Sequence, residues 1–405
     1  MNYLINENVV FVSGAYNGAI YDFNRNKIFS ISHDANNFLL RFVQDKQMLS
    51  DEEYEYVQRL IKEKLLKQEY KFKVYEPDDS DLIQLNFAWL EITQACNMRC
   101  IHCYEGEEHA HLHDCLTVSE WKRIIKDLFD NGCLKIQFIG GEPACYSNII
   151  ELIDFAGSLD FKSIGFFTNA TMISDELLQC FIHNNVHVNV SIYGHDSIVH
   201  DSITKIHGSF NHTVANIRRM IERKLPVNIA ITIMKENEQY FEDSVSFVKS
   251  LGVHTYKYDL VRQVNGCNQS CHLSAREDLI KNKFRTKPSF AISKEWFNRA
   301  HKQNTCWYGK VAVAENGDVM PCIFERNISY GNLRNCSIKD LLQSTELIHH
   351  WFMNFSQIDE CNVCEYRFAC KDCRPLGLLN GGLNKKNIRC LYHPTTGVWD
   401  NILGE

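Results

Sequence analysis

Cys96, Cys100 and Cys103 fall within eight residues, in CNMRCIHCY, with an aromatic, Tyr104, directly behind the last. Three thiolates on one loop can hold a metal, but a structural zinc site ordinarily takes four protein ligands. Cysteine thiolates also hold iron–sulfur cubes, and three of them leave one iron open to an exogenous ligand. The C-x3-C-x2-C spacing lets three sulfurs converge on three corners while the backbone wraps the cube. A second set lies late in the chain. Cys306, Gly317 and Cys322 are spaced C-x10-G-x4-C; Cys361, Cys364, Cys370 and Cys373 are spaced C-x2-C-x5-C-x2-C, with Cys390 behind them. Two CxxC pairs alone read as a zinc ribbon, but seven cysteines exceed one tetrahedral site and nearly fill two cubes. The chain has 17 cysteines, an odd number, and its start shows no basic and apolar signal segment. A disulfide framework is therefore the poorer reading, and clustered thiols in a reducing compartment point to metal.

Such residues need elements to place them. From about residue 86 the hydrophobic period alternates between strand and helix. LNFAWLEIT is an apolar strand leading into the first cysteine loop, and VSEWKRIIKDLFDNG is an amphipathic helix with Gly132 at its end. LKIQFIGGEP, SIGFFTNA, VHVNVSIYG, PVNIAITIMKEN and HTYKYDLV are further strands, separated by helical stretches such as SDELLQCFIHNN and FNHTVANIRRMIERK. About six βα repeats with apolar strands predict an α/β fold, a parallel sheet curving into a partial (β/α)6 barrel. Upstream, NVVFVSG and AIYDFNRNKIFSIS alternate as strands do, with NRN as a turn. DANNFLLRFVQ and SDEEYEYVQRLIKEKLL then read as helices, the second opening with the capping-box pair Ser50 and Glu53. Strands followed by helices make residues 1–70 a winged-helix-like unit, 71–85 a charged linker, 86–265 the barrel, 266–300 a bridging segment and 301–405 the second cysteine region.

In this setting the first cysteine loop resembles the radical S-adenosylmethionine (radical SAM) family, matching its CxxxCxxC motif and following aromatic. GGEP, Gly140, Gly141, Glu142 and Pro143, ends the second strand, where the family contacts the methionine amino group. Thr168 and Asn169 of TNA end the third strand, where relatives often read TNG, and Ser191 of SIYG matches a residue commonly contacting ribose. Tyr193 departs from the S-x-D-G that many relatives carry there. The resemblance implies a [4Fe–4S] cluster on Cys96, Cys100 and Cys103 whose open iron binds S-adenosylmethionine. One electron would cleave the sulfur–C5′ bond, and the 5′-deoxyadenosyl radical would take a substrate hydrogen, with Tyr104, Gly140, Gly141, Glu142, Pro143, Thr168, Asn169 and Ser191 contacting the cofactor. The later cysteines resemble the SPASM extension of the family, C-x9–15-G-x4-C, C-x2-C-x5-C-x3-C, then C. The fourth spacing here is x2 instead of x3. Carried across, Cys306, Cys322 and Cys373 serve a first auxiliary [4Fe–4S] cluster and Cys361, Cys364, Cys370 and Cys390 a second. Cys267 or Cys271 could complete the first, or its position stay open for a substrate thiolate. Cys115, Cys133, Cys145, Cys180 and Cys336 read as small buried hydrophobes, and HAHLHDC as a solvated loop.

The N-terminal unit holds eight Lys and Arg against ten Asp and Glu, and the chain has a net charge of −7. That gives no electrostatic footprint for nucleic acid, and no apolar run has the ~20 residues of a membrane span. The unit resembles instead the recognition element of maturases of ribosomally made peptides, similar to the PQQ-pathway chaperone fold, which adds a leader peptide as an extra strand. Together these resemblances imply a cytoplasmic SPASM peptide maturase, supplied with electrons by a flavodoxin or ferredoxin, with a cysteine thioether cross-link as the product. Cα epimerisation, carbon–carbon linkage and sulfatase-type side-chain oxidation use the same radical. A zinc-binding regulatory module is the reading from outside the class.

Overall fold

A computed structural model of the 405-residue chain describes residues 3–6, 8–44, 49–68, 83–103, 115–262, 272–274, 276 and 279–400. Tyr104, Cys267, Cys271, most of HAHLHDC and most of the 71–85 linker lie outside them. The chain divides into two compact units, one of residues 1–81, 280–308 and 350–405, the other of 82–279 and 309–349.

In the first unit, β1 (Tyr3–Ile5) is followed by β2 (Val9–Ser13), β3 (Gly18–Asp22) and β4 (Lys27–Ile31). β2, β3 and β4 form an antiparallel sheet in the register Val9↔Asp22 and Gly18↔Ile31. Helices α1 (His33–Gln44) and α2 (Asp51–Lys62) come next, and β5 (Leu66–Gln68) pairs back onto β1. The predicted capping box closes α2: Ser50 Oγ accepts from the Glu53 N–H at 3.2 Å and Glu53 accepts from the Ser50 N–H at 2.9 Å. Asn26, in the NRN turn, takes the left-handed φ of 51° that asparagine tolerates. One face of the sheet is covered by the helices, where Val9 and Ile20 pack with Phe38, Leu39, Val57 and Leu60. The other face, with Val12, Ala19, Tyr21 and Ile28, packs on Phe297, Phe368, Cys364 and Tyr392 from the late part of the chain.

The second unit is built on one nine-stranded sheet. Six strands run parallel in sequence order, β6 (Phe87–Glu91), β7 (Lys135–Ile139), β8 (Ser163–Thr168), β9 (His187–Ile192), β10 (Val227–Ile233) and β11 (Thr255–Leu260). Between them lie α3 (Val118–Asp130), α4 (Ile149–Gly157), α5 (Asp175–His183), α6 (Ser197–Thr204), α7 (Ser209–Glu222) and α8 (Phe241–Ser250). This is the predicted α/β alternation. α6 was not expected. Nor was the continuation of the sheet past β6, where β12 (Lys310–Val313) pairs parallel to it and β13 (Asp318–Met320) and β14 (Gly331–Asn332) add antiparallel. Ala88, Leu90, Phe138, Phe166, Val188, Val190 and Ile231 are all buried, and the strand register puts them on one face of the sheet as a continuous apolar layer. Among the described residues no helix is long and apolar enough to cross a membrane.

Candidate active site

The first cysteine loop leaves β6 at its carboxyl end, the face where parallel α/β sheets place ligands. The turn after β7 is built to lie against it. The Gly141 N–H donates to the Thr93 carbonyl at 2.7 Å and the Glu142 N–H to the Ala95 carbonyl at 2.8 Å. A Cβ on Gly140 (φ 147°) would stand 2.2 Å from the Thr93 oxygen, and one on Gly141 2.3 Å from the Gln94 oxygen. Both glycines of GGEP are therefore required by close backbone approach.

Glu142 is fully buried and ties its own turn to the end of β8. Its carboxylate accepts from the Ala144 N–H at 3.0 Å, the Thr168 hydroxyl at 2.7 Å and the Asn169 N–H at 2.7 Å. Burial pushes its pKa up, against the pull of those hydrogen bonds. Asn169 Nδ2 donates to Asn97 Oδ1 at 2.8 Å, and Asn97 Nδ2 to Thr171 Oγ1 at 2.7 Å, so the end of β8 holds a residue inside the cysteine loop. Ala170, standing where relatives often carry glycine, takes a φ of 60°. Its carbonyl accepts from Asn216 Nδ2 and that of Asn169 from Thr213 Oγ1, both on α7. From the other side, the N–H groups of Arg99 and Ile101 donate at 3.0 Å to Thr204 and Ile203 at the end of α6. Pro143 is buried behind Glu142, and Ser191 lies at the end of β9.

Cys96, Cys100 and Cys103 are thus brought together. Burial pushes both the Cys96 and Cys100 thiols up to about 12, helped at Cys96 by the charge of Glu142 and then Cys103, and at Cys100 by Cys96 and Cys103. A metal centre reverses that, since the thiolate is the ligand form. Among the described residues no three His, Cys, Asp or Glu side chains close around a single ion. The fit to an iron–sulfur group therefore rests on the donor type, the mutual reach of three thiols, and the wrapped loop presenting them at a sheet's carboxyl edge.

Several polar groups here escaped the sequence reading. Glu91, at the last position of β6, is buried and takes a two-pronged contact from Arg326 Nη1 at 2.9 and 3.0 Å. Gln94 Nε2 donates to Glu315 Oε1 at 2.5 Å. Tyr193, already marked in the sequence by its departure from S-x-D-G, packs with Cys100 and Ile101. The signal for Glu91 was a carboxylate closing an otherwise apolar strand.

In the first unit, Cys361, Cys364, Cys370 and Cys390 form a second group. All four thiols are pushed up by burial, and those of Cys361, Cys364 and Cys370 also by the charge of neighbouring cysteines, Cys364 to about 12. Cys361 opens a tight turn in which the Cys364 N–H donates to the Cys361 carbonyl at 3.0 Å. In the same unit Asp372 accepts from the Cys373 N–H at 2.7 Å and from Asn304 Nδ2 at 2.8 Å, while Asn304 Oδ1 accepts from the Cys306 N–H at 2.9 Å. One buried Asp–Asn pair thus fixes the backbone of both Cys306 and Cys373. Cys322 lies after β13, in the second unit. All fifteen cysteines among the described residues are free thiols; Cys133 and Cys180 are buried as expected, whereas Cys115, Cys145 and Cys336 are only half-buried, against the expectation.

The fold and the thiol loop define a class that comparison bears out. Residues 90–248 match the Radical SAM superfamily, and residues 306–365 match SPASM, an iron-sulfur cluster-binding domain. The chain is a radical SAM enzyme with a SPASM domain, and its cofactors are S-adenosylmethionine and iron–sulfur clusters. It is similar to the antilisterial bacteriocin subtilosin biosynthesis protein AlbA of Bacillus subtilis, 26% identical over 74% of this chain and 70% of that one. It is also similar to an AdoMet-dependent heme synthase of Methanosarcina barkeri, 22% identical over 76% and 96%. Streptococcus suis SuiB bound to precursor peptide SuiA shares the fold, with a TM-score of 0.59 at 14% identity over 96% of this chain and 99% of that one.

Proposed function

We propose that this enzyme modifies a ribosomally synthesised precursor peptide, installing a cysteine thioether. The observation that carries the reading is the N-terminal sheet with its two helices, an element the barrel chemistry does not need. The likeness to SuiB extends over nearly the whole chain, that element included, and AlbA, a bacteriocin biosynthesis protein, is among the relatives. In this reading residues 1–70 bind the leader as an added strand. The Val9–Ser13 and Lys27–Ile31 strands are the outer two of three, and α1 lies over one face. The Ile28 N–H already donates to the Phe290 carbonyl at 3.1 Å, so an added strand takes the edge beyond it or that of β2.

Bound at Cys96, Cys100 and Cys103, the cluster and S-adenosylmethionine supply abstraction of a hydrogen atom from the substrate. The protein's part is to orient the peptide and keep water out. Glu142, Thr168, Asn169 and Ser191 then hold the S-adenosylmethionine side of the site, with Tyr104, Gly140, Gly141 and Pro143. Cys361, Cys364, Cys370 and Cys390 hold one auxiliary cluster, and Cys306, Cys322 and Cys373 are the remaining candidates for another. A thioether forms when a substrate Cα–H and a cysteine S–H are replaced by a C–S bond. For the balance to close, one hydrogen atom, one proton and one electron must leave the peptide, and the S-adenosylmethionine and iron–sulfur groups that these cysteines would hold would supply the acceptors for the hydrogen atom and the electron. The initiating electron comes from a flavodoxin or ferredoxin.

The test is co-expression with a short cysteine-containing peptide encoded beside the enzyme, followed by mass spectrometry. A product lighter by two hydrogens whose cysteine resists alkylation supports the thioether. An unchanged mass with an inverted Cα indicates epimerisation, and the same mass loss with an alkylatable cysteine a carbon–carbon link. No modification of any cognate peptide overturns the reading.

A further inference from the structure

Helix α7 carries polar side chains on the face that it buries. Val214, Ile217 and Met220 are buried as an amphipathic helix requires, yet Thr213 and Asn216 are buried beside them, 0% and 8% exposed. Thr213, Asn216 and Arg219 are spaced three apart and form one stripe. Each donates to a carbonyl of the turn after β8: Thr213 Oγ1 to Asn169 at 2.8 Å, Asn216 Nδ2 to Ala170 at 2.7 Å, and Arg219 Nη1 to Ile173 at 2.9 Å. Arg219 Nη1 also donates to Asn216 Oδ1 at 2.5 Å, while its Nη2 is held by Asp175 at the start of α5. The bond from Arg219 decides which end of the Asn216 amide faces the turn.

The turn so held is strained. Ala170 has a φ of 60°, a conformation that glycine adopts freely and a side chain with a Cβ resists. It is also the turn that knits the site together: Asn169 bonds Glu142 through its N–H at 2.7 Å and Asn97, inside the cysteine loop, through its amide at 2.8 Å. If Ala170 relaxed to an ordinary φ, Asn169 would turn away from both. We infer that Asn216, aimed by Arg219, is a positioning residue for the S-adenosylmethionine site: its bond to the Ala170 carbonyl holds the turn after β8 in the left-handed shape that presents Asn169 to Glu142 and the cysteine loop. An alanine keeps a conformation suited to glycine because α7 supplies the restraint. Ala170 and Asn216 are both buried, so water does not replace the bond, and losing it leaves a carbonyl unsatisfied.

The inference rests on the radical SAM reading, and its test separates the two. Full-length protein is reconstituted anaerobically, its iron is counted, and its affinity for S-adenosylmethionine is measured by equilibrium dialysis without reductant or peptide. Asn216→Ala is expected to weaken binding about tenfold, the worth of one buried hydrogen bond. The same change in an Ala170→Gly background is expected to cost about threefold or less, because glycine takes the left-handed turn without restraint. A merely structural role for Asn216 gives the same loss in both backgrounds, and equal losses overturn the inference. Should Asn216→Ala fail to fold, Asn216→Asp keeps the shape and the bond from Arg219 but has no proton to give the Ala170 carbonyl. It should bind as weakly as Asn216→Ala is expected to, and wild-type affinity in it also overturns the inference. If wild type loads iron and binds no S-adenosylmethionine, the radical SAM reading fails first and takes this inference with it.

Discussion

At the scale of single residues, close backbone approach does much of the work. Gly140 and Gly141 let the turn after β7 lie on the carbonyls of Thr93, Gln94 and Ala95, and any side chain there meets backbone, which cannot swing away. Gly140→Ala is expected to cost about 2 kcal/mol or more, from strain at a φ of 147° and the clash beneath it. A thermal melt of the variant checks this, and an unchanged melting temperature contradicts the packing described. His200 gives a pH signature. Burial lowers its pKa to about 4 from 6.5. The unfolded chain therefore binds a proton that the folded chain refuses, and the stability His200 contributes, present above pH 6.5, is lost as the pH falls toward 4. Denaturant titrations over that range should show a smaller loss for His200→Asn than for wild type; parallel curves would refute the assignment. The residues with motif spacing were legible in the sequence because their spacing reports chemistry directly. Glu91 and Glu315 were not, because their partners are distant in sequence and no local pattern announces them.

Among elements, α6 shows what periodicity misses. The stretch HDSIVHDSIT is rich in β-branched and polar residues that form helices poorly. It becomes a helix because Asp196 caps its start, accepting from the Val199 N–H at 2.9 Å, and because Asp201 ties its end to α7. Asp201 accepts from the N–H groups of Gly208 and Phe210 and the Ser209 hydroxyl at 2.6 to 2.9 Å. The carbonyls of Ile203 and Thr204 then hold the cysteine loop. Asp201→Ala leaves those donors unsatisfied and should destabilise the region by about 2 kcal/mol. Iron loading at the first cysteine set should fall with it; full loading would show that α6 does not position the loop. β6 to β10 were readable because one buried face of the sheet places apolar residues at alternate positions along each strand. β12 to β14 were not, since KVAVAENGDVM has the same pattern whether it extends the large sheet or stands alone.

For the molecule as a whole, the linear order of segments is not the order of packing. Residues 1–81 share one unit with 280–308 and 350–405. The Tyr21 hydroxyl donates to the Glu365 carbonyl at 2.9 Å, Arg367 donates to the Ser13 carbonyl at 3.0 Å, and the Ala15 N–H to that of Val363 at 2.7 Å. The N-terminal sheet is thus one wall of the second cysteine group, with Cys364 in the shared core. Deleting residues 1–70 is expected to lower iron content as well as peptide affinity, because it strips cover from buried thiols. A truncated protein with full iron would contradict this.

The claim beneath all of this is that three cysteines on the β6 loop, and no fourth, hold a centre that cleaves S-adenosylmethionine. The direct measurement is 5′-deoxyadenosine released under a strong reductant by reconstituted wild type and by Cys100→Ala. Formation by wild type and none by the variant is the expected result, and equal formation by both would contradict the account.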